Sequence, residues 1–430
     1  MGRSEADVLK QIPRVDRLRG TVAAPPSKSY TARALLLAAI AQGPTTISNA
    51  LDSDDSRYML EAIRTIGFDV SGTFATAITI GERKSMSAND VEIFVGNAGT
   101  AMRFLTGFLS FTPGRFILRG EARMHERPIG DLVEVLLSLG VEVEYAEREG
   151  YPPLRIRGKR MRGGQEVTIS AAISSQFVSS LMMAAPTQPY GMTIHVQDAS
   201  SQPYIDITAG ILRDFDATVE RTGDTIRVTA RRLERDRYRV EGDYSSASYW
   251  FAAAAATGGT ITVTGLNGSS LQGDRAFVDI LDSMGCEVSV SESETTVTGP
   301  DKLRGGSFDC IATPDIVPTL AAIAPLASEK IEITNVANLR VKESDRLSSV
   351  TSELRKLGAT VDERPDALSI EPGWGSGPAT IDPHDDHRLA MSFAIAGLAR
   401  GGVSIASEQV VSKSYPRFWR TLDELIASSS

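Results

Sequence analysis

One pattern of apolar and polar positions recurs along the chain. It consists of an amphipathic helix, a glycine, and a short strand in which apolar residues alternate. Apolar residues three and four positions apart predict the helices, and the glycine suits the left-handed residue that often ends a helix. The copies run through 60–70, 132–143, 207–219 (where Asp216 replaces the glycine), 277–288 and 350–361. A sixth helix of this kind is predicted over 418–426.

The pattern repeats about every 70 residues. The anchor positions 67, 140, 216, 285 and 358 are separated by 73, 76, 69 and 73 residues. This spacing is too long for a solenoid repeat, but it suits a compact unit of two helices and several strands. Six such units, arranged as two sets of three, predict an α/β protein with two similar domains.

Two strand-like segments indicate where the chain passes between the domains. Residues 16–22 predict a strand before Pro25-Pro26, and residues 239–243 predict another before an alanine-rich helix. The second set of units lacks a beginning, which the N-terminal segment could supply. We therefore expect one domain at 21–242 and a second made of 1–20 and 243–430, with crossovers near Gly20 and Gly242.

Composition and charge exclude several classes of protein. A hydrophobic share of 42% in 430 residues is enough for two sizeable cores, and a formal charge of −9 argues against broad binding to nucleic acid or anionic membranes. The two cysteines, Cys286 and Cys310, form no C-x-x-C motif, which argues against a disulfide framework or a cysteine zinc site. We find neither a membrane-length apolar run nor a signal-peptide pattern, and we expect a cytoplasmic protein.

A glycine-containing turn between a predicted strand and a predicted helix is the first candidate anion site. Gly96-Asn97-Ala98-Gly99 follows the strand 91–95 and precedes an apolar helix in which Arg103 adds a planar donor. A helix N-terminus offers unpaired N–H groups, and glycine allows a ligand to approach the backbone. A tight structural turn explains the same residues equally well. The spacing matches neither a P-loop nor a dinucleotide fingerprint.

Cations, hydroxyl groups and carboxylates stand at the start of most other predicted helices. Each one alone fits a helix cap or a solvated charge. If the helices of each domain point toward the cleft between the domains, however, their dipoles and cations converge on a site for small, highly charged anions. We expect Lys342 and Arg346 to share a helical face, with Glu343 adjacent as a candidate proton-transfer acid. His387 has no second histidine at metal-binding spacing, so we expect it to have a structural role.

Seven stretches carry a further comparison: Pro26-Ser27-Lys28-Ser29, Gly96-Asn97-Ala98-Gly99-Thr100, Glu126-Arg127-Pro128-Ile129, Ser174-Ser175-Gln176, Pro203-Tyr204-Ile205-Asp206, Arg340 through Arg346, and Asp386-His387-Arg388. In this order and spacing, these motifs resemble those of the 5-enolpyruvylshikimate-3-phosphate synthase family over essentially the whole chain. The resemblance implies two domains, each of three βαβαββ units in an inverse α/β barrel, linked by two crossovers. It also implies transfer of the enolpyruvyl group of phosphoenolpyruvate to the 5-hydroxyl of shikimate 3-phosphate, without a metal or organic cofactor.

The resemblance further implies roles for individual residues. Asp315 accepts the proton of the 5-hydroxyl, Glu343 handles the proton at the methylene carbon, and Lys28 is the third catalytic residue. The set for shikimate 3-phosphate is Lys28, Ser29, Arg33, Ser174, Ser175, Gln176, Ser201, Asp315, Asn338 and Lys342. The set for phosphoenolpyruvate is Lys28, Asn97, Gly99, Arg127, Gln176, Arg346, Arg388 and Lys413. A monomer with small-molecule substrates, and with no nucleic-acid or membrane partner, is expected.

The sequence departs from the family pattern at two positions, and alternatives to this function remain. Gln202 stands where many members have a basic residue, and Phe104 stands where a proline is common. Because Gly99 carries no methyl group, we expect glyphosate to inhibit in competition with phosphoenolpyruvate. The alternatives are a UDP-N-acetylglucosamine enolpyruvyl transferase, which uses a loop cysteine as its acid, and a non-catalytic anion-binding protein on the same fold. An RNA-end-processing enzyme is opposed by the acidic charge.

Overall fold

The computed structural model describes residues 9–84, 90–198, 200–229 and 232–429. Within it the chain forms two compact units. Pro26–Glu241 is the first unit, and the flanking segments, which end at Pro25 and resume at Gly242, make up the second unit. Among the described helices, none has both the length and the hydropathy needed to cross a membrane.

Strands and helices alternate along the chain. The strands are β1 Lys10–Ile12, β2 Arg19–Ala23, β3 Thr45–Ser48, β4 Phe68–Gly72, β5 Ala77–Arg83, β6 Val91–Phe94, β7 Gly114–Arg119, β8 Glu142–Tyr145, β9 Leu154–Gly158, β10 Gln165–Ser170, β11 Met192–Gln197, β12 Val219–Thr222, β13 Thr225–Val228, β14 Arg237–Arg239, β15 Thr260–Thr264, β16 Glu287–Val290, β17 Glu294–Thr298, β18 Gly306–Asp309, β19 Ile331–Thr334, β20 Val361–Arg364, β21 Ala367–Ile370, β22 Ala379–Ile381 and β23 Val403–Ile405. The helices are α1 Lys28–Ile40, α2 Asp54–Thr65, α3 Gly99–Ser110, α4 Gly130–Ser138, α5 Ser175–Ala184, α6 Gln202–Asp214, α7 Tyr244–Thr257, α8 Phe277–Ser283, α9 Val317–Ile323, α10 Arg346–Lys356, α11 His387–Arg400 and α12 Phe418–Ser429.

Each unit contains sheets with one common strand order. In the first unit the orders are β14-β3-β5-β4, β6-β7-β9-β8 and β10-β11-β13-β12, and in the second they are β2-β15-β17-β16, β18-β19-β21-β20 and β22-β23-β1. The first two strands of each sheet are parallel, and the remaining pairs are antiparallel. The predicted repetition of one compact unit is therefore present in the fold.

Two strands are exchanged between the repeats. The segments β6–β9, β10–β13 and β18–β21 each follow the order βαβαββ with their own helices. By contrast, β2, which precedes α1 in the chain, pairs with β15, and β14, which precedes α7, pairs with β3. The chain therefore changes unit directly after each exchanged strand. The boundaries after Pro25 and after Glu241 lie close to the predicted crossovers near Gly20 and Gly242.

The residues that end the repeat helices adopt the left-handed conformation. The φ angles are +104° at Gly67, +74° at Gly140, +98° at Gly285 and +82° at Gly358, and Asp216 has +71°. Glycine takes this conformation without a Cβ clash, and aspartate is among the few other residues that tolerate it. The helix ends predicted from the sequence are confirmed at all five anchors.

Each unit has its own hydrophobic core built around three nearly fully buried helices. These are α1, α3 and α5 in the first unit and α7, α9 and α11 in the second. The other helices, including α2, α6, α10 and α12, keep a polar face in solvent. Burial of whole helices explains why the alanine-rich and leucine-rich segments show little amphipathic pattern.

Candidate active site

Lys28 begins α1 in the first unit and is held by a carboxylate that sequence reasoning did not select. Its Nζ lies 3.2 Å from Oδ2 of Asp55, and both side chains are largely buried. Asp55 lies in the first turn of α2, where a negative charge also interacts favourably with the helix dipole. Asp55 therefore fixes the direction of the Lys28 ammonium group.

Arg33 is 2% exposed, and its side chain contacts residues of α1, α3 and α6. Its guanidinium group donates to Thr208 Oγ1 at 2.7 Å, to Tyr204 O at 3.1 Å and to Ser29 O at 3.0 Å. It also lies 4.9 Å from the centre of the Phe104 ring. Burial lowers the pKa of Arg33 to about 10. Phe104, one of the departures from the family pattern, thus supports a cation, and the substrate contact of Arg33 remains a prediction.

The turn before α3 is closed by two buried arginines. Arg127 Nη1 donates to the carbonyl oxygen of Asn97 at 3.2 Å and to its Oδ1 at 3.1 Å. Arg103 donates to Gly99 O at 3.2 Å and to Pro128 O at 3.0 Å. A Cβ on Gly99 would lie 2.6 Å from Arg127 Nη2 and 2.7 Å from Arg103 Nη1. A side chain at position 99 would therefore displace the ends of both arginine side chains, and the contacts of Arg103 with this turn emerge only in the structure.

The N-terminal residues of α5 lie beside those of α3. Gln176 Nε2 donates to Thr100 Oγ1 at 3.4 Å, and the Ser174 hydroxyl accepts from Gln176 N at 3.2 Å as the helix cap. Ser175 follows in the first turn and is buried. Ser201, directly before α6, is buried and has a left-handed φ of +52°. The first unit thus brings Gly99, Arg127 and Gln176 into one cluster.

Arg346 is the centre of the charged cluster in the second unit. It is 1% exposed, and it donates from Nη1 to Asp315 Oδ1 at 2.9 Å, from Nη2 to Glu343 Oε2 at 2.7 Å and from Nε to Asp386 Oδ2 at 2.6 Å. Burial alone lowers the pKa of Arg346, but the carboxylates of Asp386, Glu343 and Asp315 raise it above its ordinary value. The guanidinium is permanently charged and rigidly held.

Asp315 bridges two guanidinium groups. Its Oδ2 accepts from Arg388 Nη2 at 2.7 Å while Oδ1 accepts from Arg346, and Arg388 Nη1 also lies 3.3 Å from the Asp315 carbonyl oxygen. Asp315 lies in a 3-10 turn, Pro314–Ile316, before α9. Asp386 is the N-cap of α11 and accepts from the backbone N–H of Arg388 at 3.0 Å. Asp315 is thus held between Arg346 and Arg388, and Arg346 also binds Glu343.

One prediction about this cluster is wrong. Lys342 and Arg346 do not share a helical face, because α10 begins at Arg346 with Asp345 as its N-cap. Lys342 is extended, with φ −86° and ψ −153°. The Asp345 carboxylate accepts from Ser348 N at 3.2 Å, and this cap prevents the helix from starting earlier. Glu343 meets Arg346 through a loop and not through helical spacing.

Three further predicted residues lie on, or directly after, short 3-10 segments of the second unit. Asn338 is buried within Ala337–Val341, Lys342 follows that segment directly, and Lys413 ends Glu408–Lys413. Lys342 and Lys413 are partly buried. His387 is fully buried in the first turn of α11. In the described part of the chain, no three His, Cys, Asp or Glu side chains are grouped as metal ligands.

Asp274 is a buried carboxyl group that sequence reasoning missed. It lies in a 3-10 turn before α8 and accepts a hydrogen bond from Ser245 Oγ. Burial, and then the charge of Asp315, raise the pKa of Asp274 to about 7, against the opposing effect of Arg388. The motif Gln272-Gly273-Asp274 carries no periodic pattern that could have revealed this position. Only the fold brings Asp274 into the electrostatic surroundings of Asp315.

The chain is similar to known proteins along nearly its full length. The family model for EPSP synthase (3-phosphoshikimate 1-carboxyvinyltransferase) matches residues 12–422. A 3-phosphoshikimate 1-carboxyvinyltransferase of Methanoculleus marisnigri is 45% identical over 93% of this chain and 95% of its own. One of Aliivibrio salmonicida is 42% identical over 98% of this chain and 99% of its own.

A solved structure agrees with the fold. The EPSP synthase from Acinetobacter baumannii superposes with a TM-score of 0.80 at 25% identity, covering 97% of this chain and 98% of that one. This confirms the two-domain α/β fold that the repeat pattern predicts. The family match, the sequence identities and the shared fold together show that the chain belongs to the EPSP synthase (3-phosphoshikimate 1-carboxyvinyltransferase) family.

Proposed function

We propose that this transferase moves the enolpyruvyl group of phosphoenolpyruvate to the 5-hydroxyl of shikimate 3-phosphate and releases phosphate. The observation that carries the proposal is the Asp315 carboxylate held between Arg346 and Arg388, with Glu343 bound to the same Arg346. Such a cluster provides two carboxylates for proton transfer and two fixed cations for anionic substrates. Family membership supports this assignment over the alternatives.

In the proposed reaction the two carboxylates act on different protons. Asp315 takes the proton of the 5-hydroxyl while the hydroxyl oxygen bonds to C2 of phosphoenolpyruvate. Glu343 delivers a proton to the methylene carbon. The tetrahedral adduct then loses phosphate through cleavage of the bond between C2 and the phosphate oxygen, while Glu343 removes a proton from the methyl carbon. Asp315 gives the hydroxyl proton to the leaving phosphate, so both carboxyl groups return to their starting states and atoms and charges balance.

The cations are assigned to the two substrates as the motifs imply. We propose that Arg346 and Arg388 offset the charges of phosphoenolpyruvate, because both are buried and held by carboxylates that prevent rotation. In the first unit, Arg127, Gly99, Gln176 and Asn97 form the corresponding cluster for the same substrate. Lys413 of the second unit is assigned to phosphoenolpyruvate as well. Shikimate 3-phosphate is assigned to Lys28, Ser29, Arg33, Ser174, Ser175, Gln176, Ser201, Asp315, Asn338 and Lys342.

The cysteines weigh against the UDP-sugar alternative. Cys286 and Cys310 are buried, and burial raises the pKa of each thiol to about 12. Cys286 directly precedes β16, and Cys310 directly follows β18. Neither is placed on an exposed loop where a general acid could meet a substrate.

The proposal is tested by phosphate release from phosphoenolpyruvate in the presence of EDTA. We expect release with shikimate 3-phosphate and none with the UDP-linked amino sugar, at a rate that EDTA does not change. Release only with the UDP-linked amino sugar would show that this sugar, and not shikimate 3-phosphate, is the acceptor. Binding of both substrates without release would support the non-catalytic alternative.

Gly99→Ala is expected to raise the KM for phosphoenolpyruvate about ten-fold, because the added methyl group collides with the Arg127 guanidinium and displaces it. The KM for shikimate 3-phosphate should change less than about two-fold, because Arg127 is assigned to phosphoenolpyruvate and not to shikimate 3-phosphate. The wild-type chain should be inhibited by glyphosate in competition with phosphoenolpyruvate, and the variant should be inhibited less. Steady-state kinetics with each substrate varied provides the measurement.

Gly163→Ala is the matched control for this prediction. An added Cβ at Gly163 meets nothing within 4 Å, so this variant should behave as wild type. An unchanged phosphoenolpyruvate KM in Gly99→Ala would contradict the assignment of the Arg127 cluster to that substrate.

We also propose that the protein acts as a monomer in the cytoplasm. The two free, buried cysteines support a reducing, intracellular setting. Light scattering that gave twice the chain mass of 46.1 kDa would refute the monomer.

A further inference from the structure

A buried carboxylate on α10 has no part in the roles assigned above. Glu353 is 0% exposed and accepts from His384 Nε2 at 2.8 Å and from the backbone N–H of Asp382 at 3.1 Å. Lys356 Nζ lies 2.8 Å from the same carboxylate. A buried carboxylate persists only when it is paired and hydrogen-bonded. Glu353 uses each of its two oxygen atoms to hold the turn at 382–384 against α10.

The same helix holds the active-site segment at a second point. Glu353 follows Arg346 by seven residues, which is two helical turns, so the two side chains lie on the same side of α10. Arg346 donates to Asp386, and Asp386 caps α11, the helix in which Arg388 is the second residue. Two side chains on one side of α10 therefore hold the segment 382–386. Glu353 binds its first part, and Arg346 binds Asp386 at its end.

The backbone between these two points is in an unfavourable conformation. His384 and Asp385 have φ angles of +51° and +55°, in the left-handed region that residues with a Cβ rarely adopt. Such conformations persist where the surrounding contacts impose them. The contacts here are His384 to Glu353, His384 N to Asp382 Oδ1 at 2.8 Å, and Asp386 N to Pro383 O at 2.8 Å. Loss of the first contact frees the turn to relax and to move Asp386, which is two residues away.

We propose that His384 and Glu353 form a positioning pair that holds Asp386, and through it Arg346 and Arg388, in the geometry that binds phosphoenolpyruvate. Neither residue touches the substrate in this proposal, which rests on the proposed function. The pair acts through the backbone of the 382–386 turn. Its loss should therefore weaken binding at the two arginines without removing any group that takes part in proton transfer.

The test is His384→Ala, with the kinetics of each substrate measured separately. We expect the KM for phosphoenolpyruvate to rise on the order of ten-fold and the KM for shikimate 3-phosphate to change less than about three-fold. The kcat should fall as well, because Arg346 also holds Glu343 and Asp315. His384→Gln should recover most of the loss, because its amide N–H can still donate to Glu353. His384→Phe, which fills a similar volume without a donor, should behave as His384→Ala and replaces that variant should it fail to fold.

Two control variants separate positioning from general effects of charge and stability. Lys356→Ala removes a cation from Glu353 without touching the turn, and should leave the phosphoenolpyruvate KM within about two-fold of wild type. His195→Ala removes a similar histidine contact, 2.7 Å from Nε2 to Glu166 Oε1, on the first unit, and should also have little effect. Thermal unfolding of every variant shows how much stability each change removes.

The outcomes distinguish this inference from the proposed function. A wild-type enzyme without activity on shikimate 3-phosphate would remove the proposed function, and with it the basis of this inference. An active wild type, together with His384→Ala and His384→Phe variants that have a wild-type phosphoenolpyruvate KM, would overturn the positioning pair alone. An equal KM increase in Lys356→Ala would also overturn it, because charge at Glu353 would then be the cause. Failure of His384→Gln to recover activity would reject the hydrogen bond as the mechanism.

Discussion

Replacing Asp315 with asparagine is expected to lower kcat by about 10²- to 10⁴-fold, the range that general acid–base catalysis contributes. The amide is almost the same size and keeps one oxygen to accept from an arginine, but it cannot take a proton from the 5-hydroxyl. It also faces Arg346 and Arg388 with no negative charge. Binding of shikimate 3-phosphate should weaken but remain measurable. Single-turnover phosphate release and calorimetric titration of shikimate 3-phosphate provide the two measurements.

Asp345→Asn is the matched control for this substitution. Asp345 is also an aspartate in contact with an arginine, since it accepts from Arg340 Nη1 at 3.1 Å, and it caps α10. The asparagine should still cap that helix, so kcat should remain close to wild type. A kcat for Asp315→Asn within about three-fold of wild type would exclude Asp315 as the base.

Replacing Glu343 with glutamine is expected to lower kcat by a similar factor, about 10²- to 10⁴-fold, for a different reason. The glutamine oxygen can still accept from Arg346 Nη2, so the cluster should keep its geometry. The side chain cannot, however, deliver a proton to the methylene carbon or remove one from the methyl carbon. In D₂O, the wild-type enzyme should place deuterium at this carbon during the reversible addition, and the variant should lose that exchange.

Glu363→Gln tests whether any change at a glutamate–arginine contact has this effect. Glu363 accepts from Arg340 Nη1 at 2.9 Å in the same unit, away from Arg346. This variant should retain wild-type deuterium exchange. Wild-type exchange in Glu343→Gln would assign the proton at carbon to another group, even if kcat fell. Asp315→Asn and Glu343→Gln can therefore be distinguished by exchange as well as by rate.

The repeat pattern was predictable from the sequence because its causes are local. Apolar spacing along each helix and a left-handed residue at its end depend on a few neighbouring positions. The anchors Gly67, Gly140, Gly285 and Gly358, and also Asp216, all have positive φ as predicted. The start of α5 depends on local residues as well, since the Ser174 hydroxyl accepts from Gln176 N and caps the helix.

The helix boundary at Arg346 shows where local reasoning failed. The run from Lys342 to Arg346 has helical charge spacing, but the Asp345 cap starts α10 only at Arg346. Two local preferences competed, and the capping interaction determined the conformation. The boundary at Pro25 lies a few residues after the predicted crossover near Gly20, and it depends on a non-local contact, because β2 pairs with β15 about 240 positions away.

The sequence by itself determined the repeating α/β architecture, the family and the residues that carry charge at helix starts. Only the tertiary structure decided which of those residues meet. Arg346 contacts Glu343 across 3 positions, Asp315 across 31 and Asp386 across 40. Asp55, Asp274 and Glu353 stand in no motif, and their roles come from burial beside groups that are distant in the chain. Periodicity and caps are set by neighbouring residues, whereas these contacts are set by how sheets and buried helices pack.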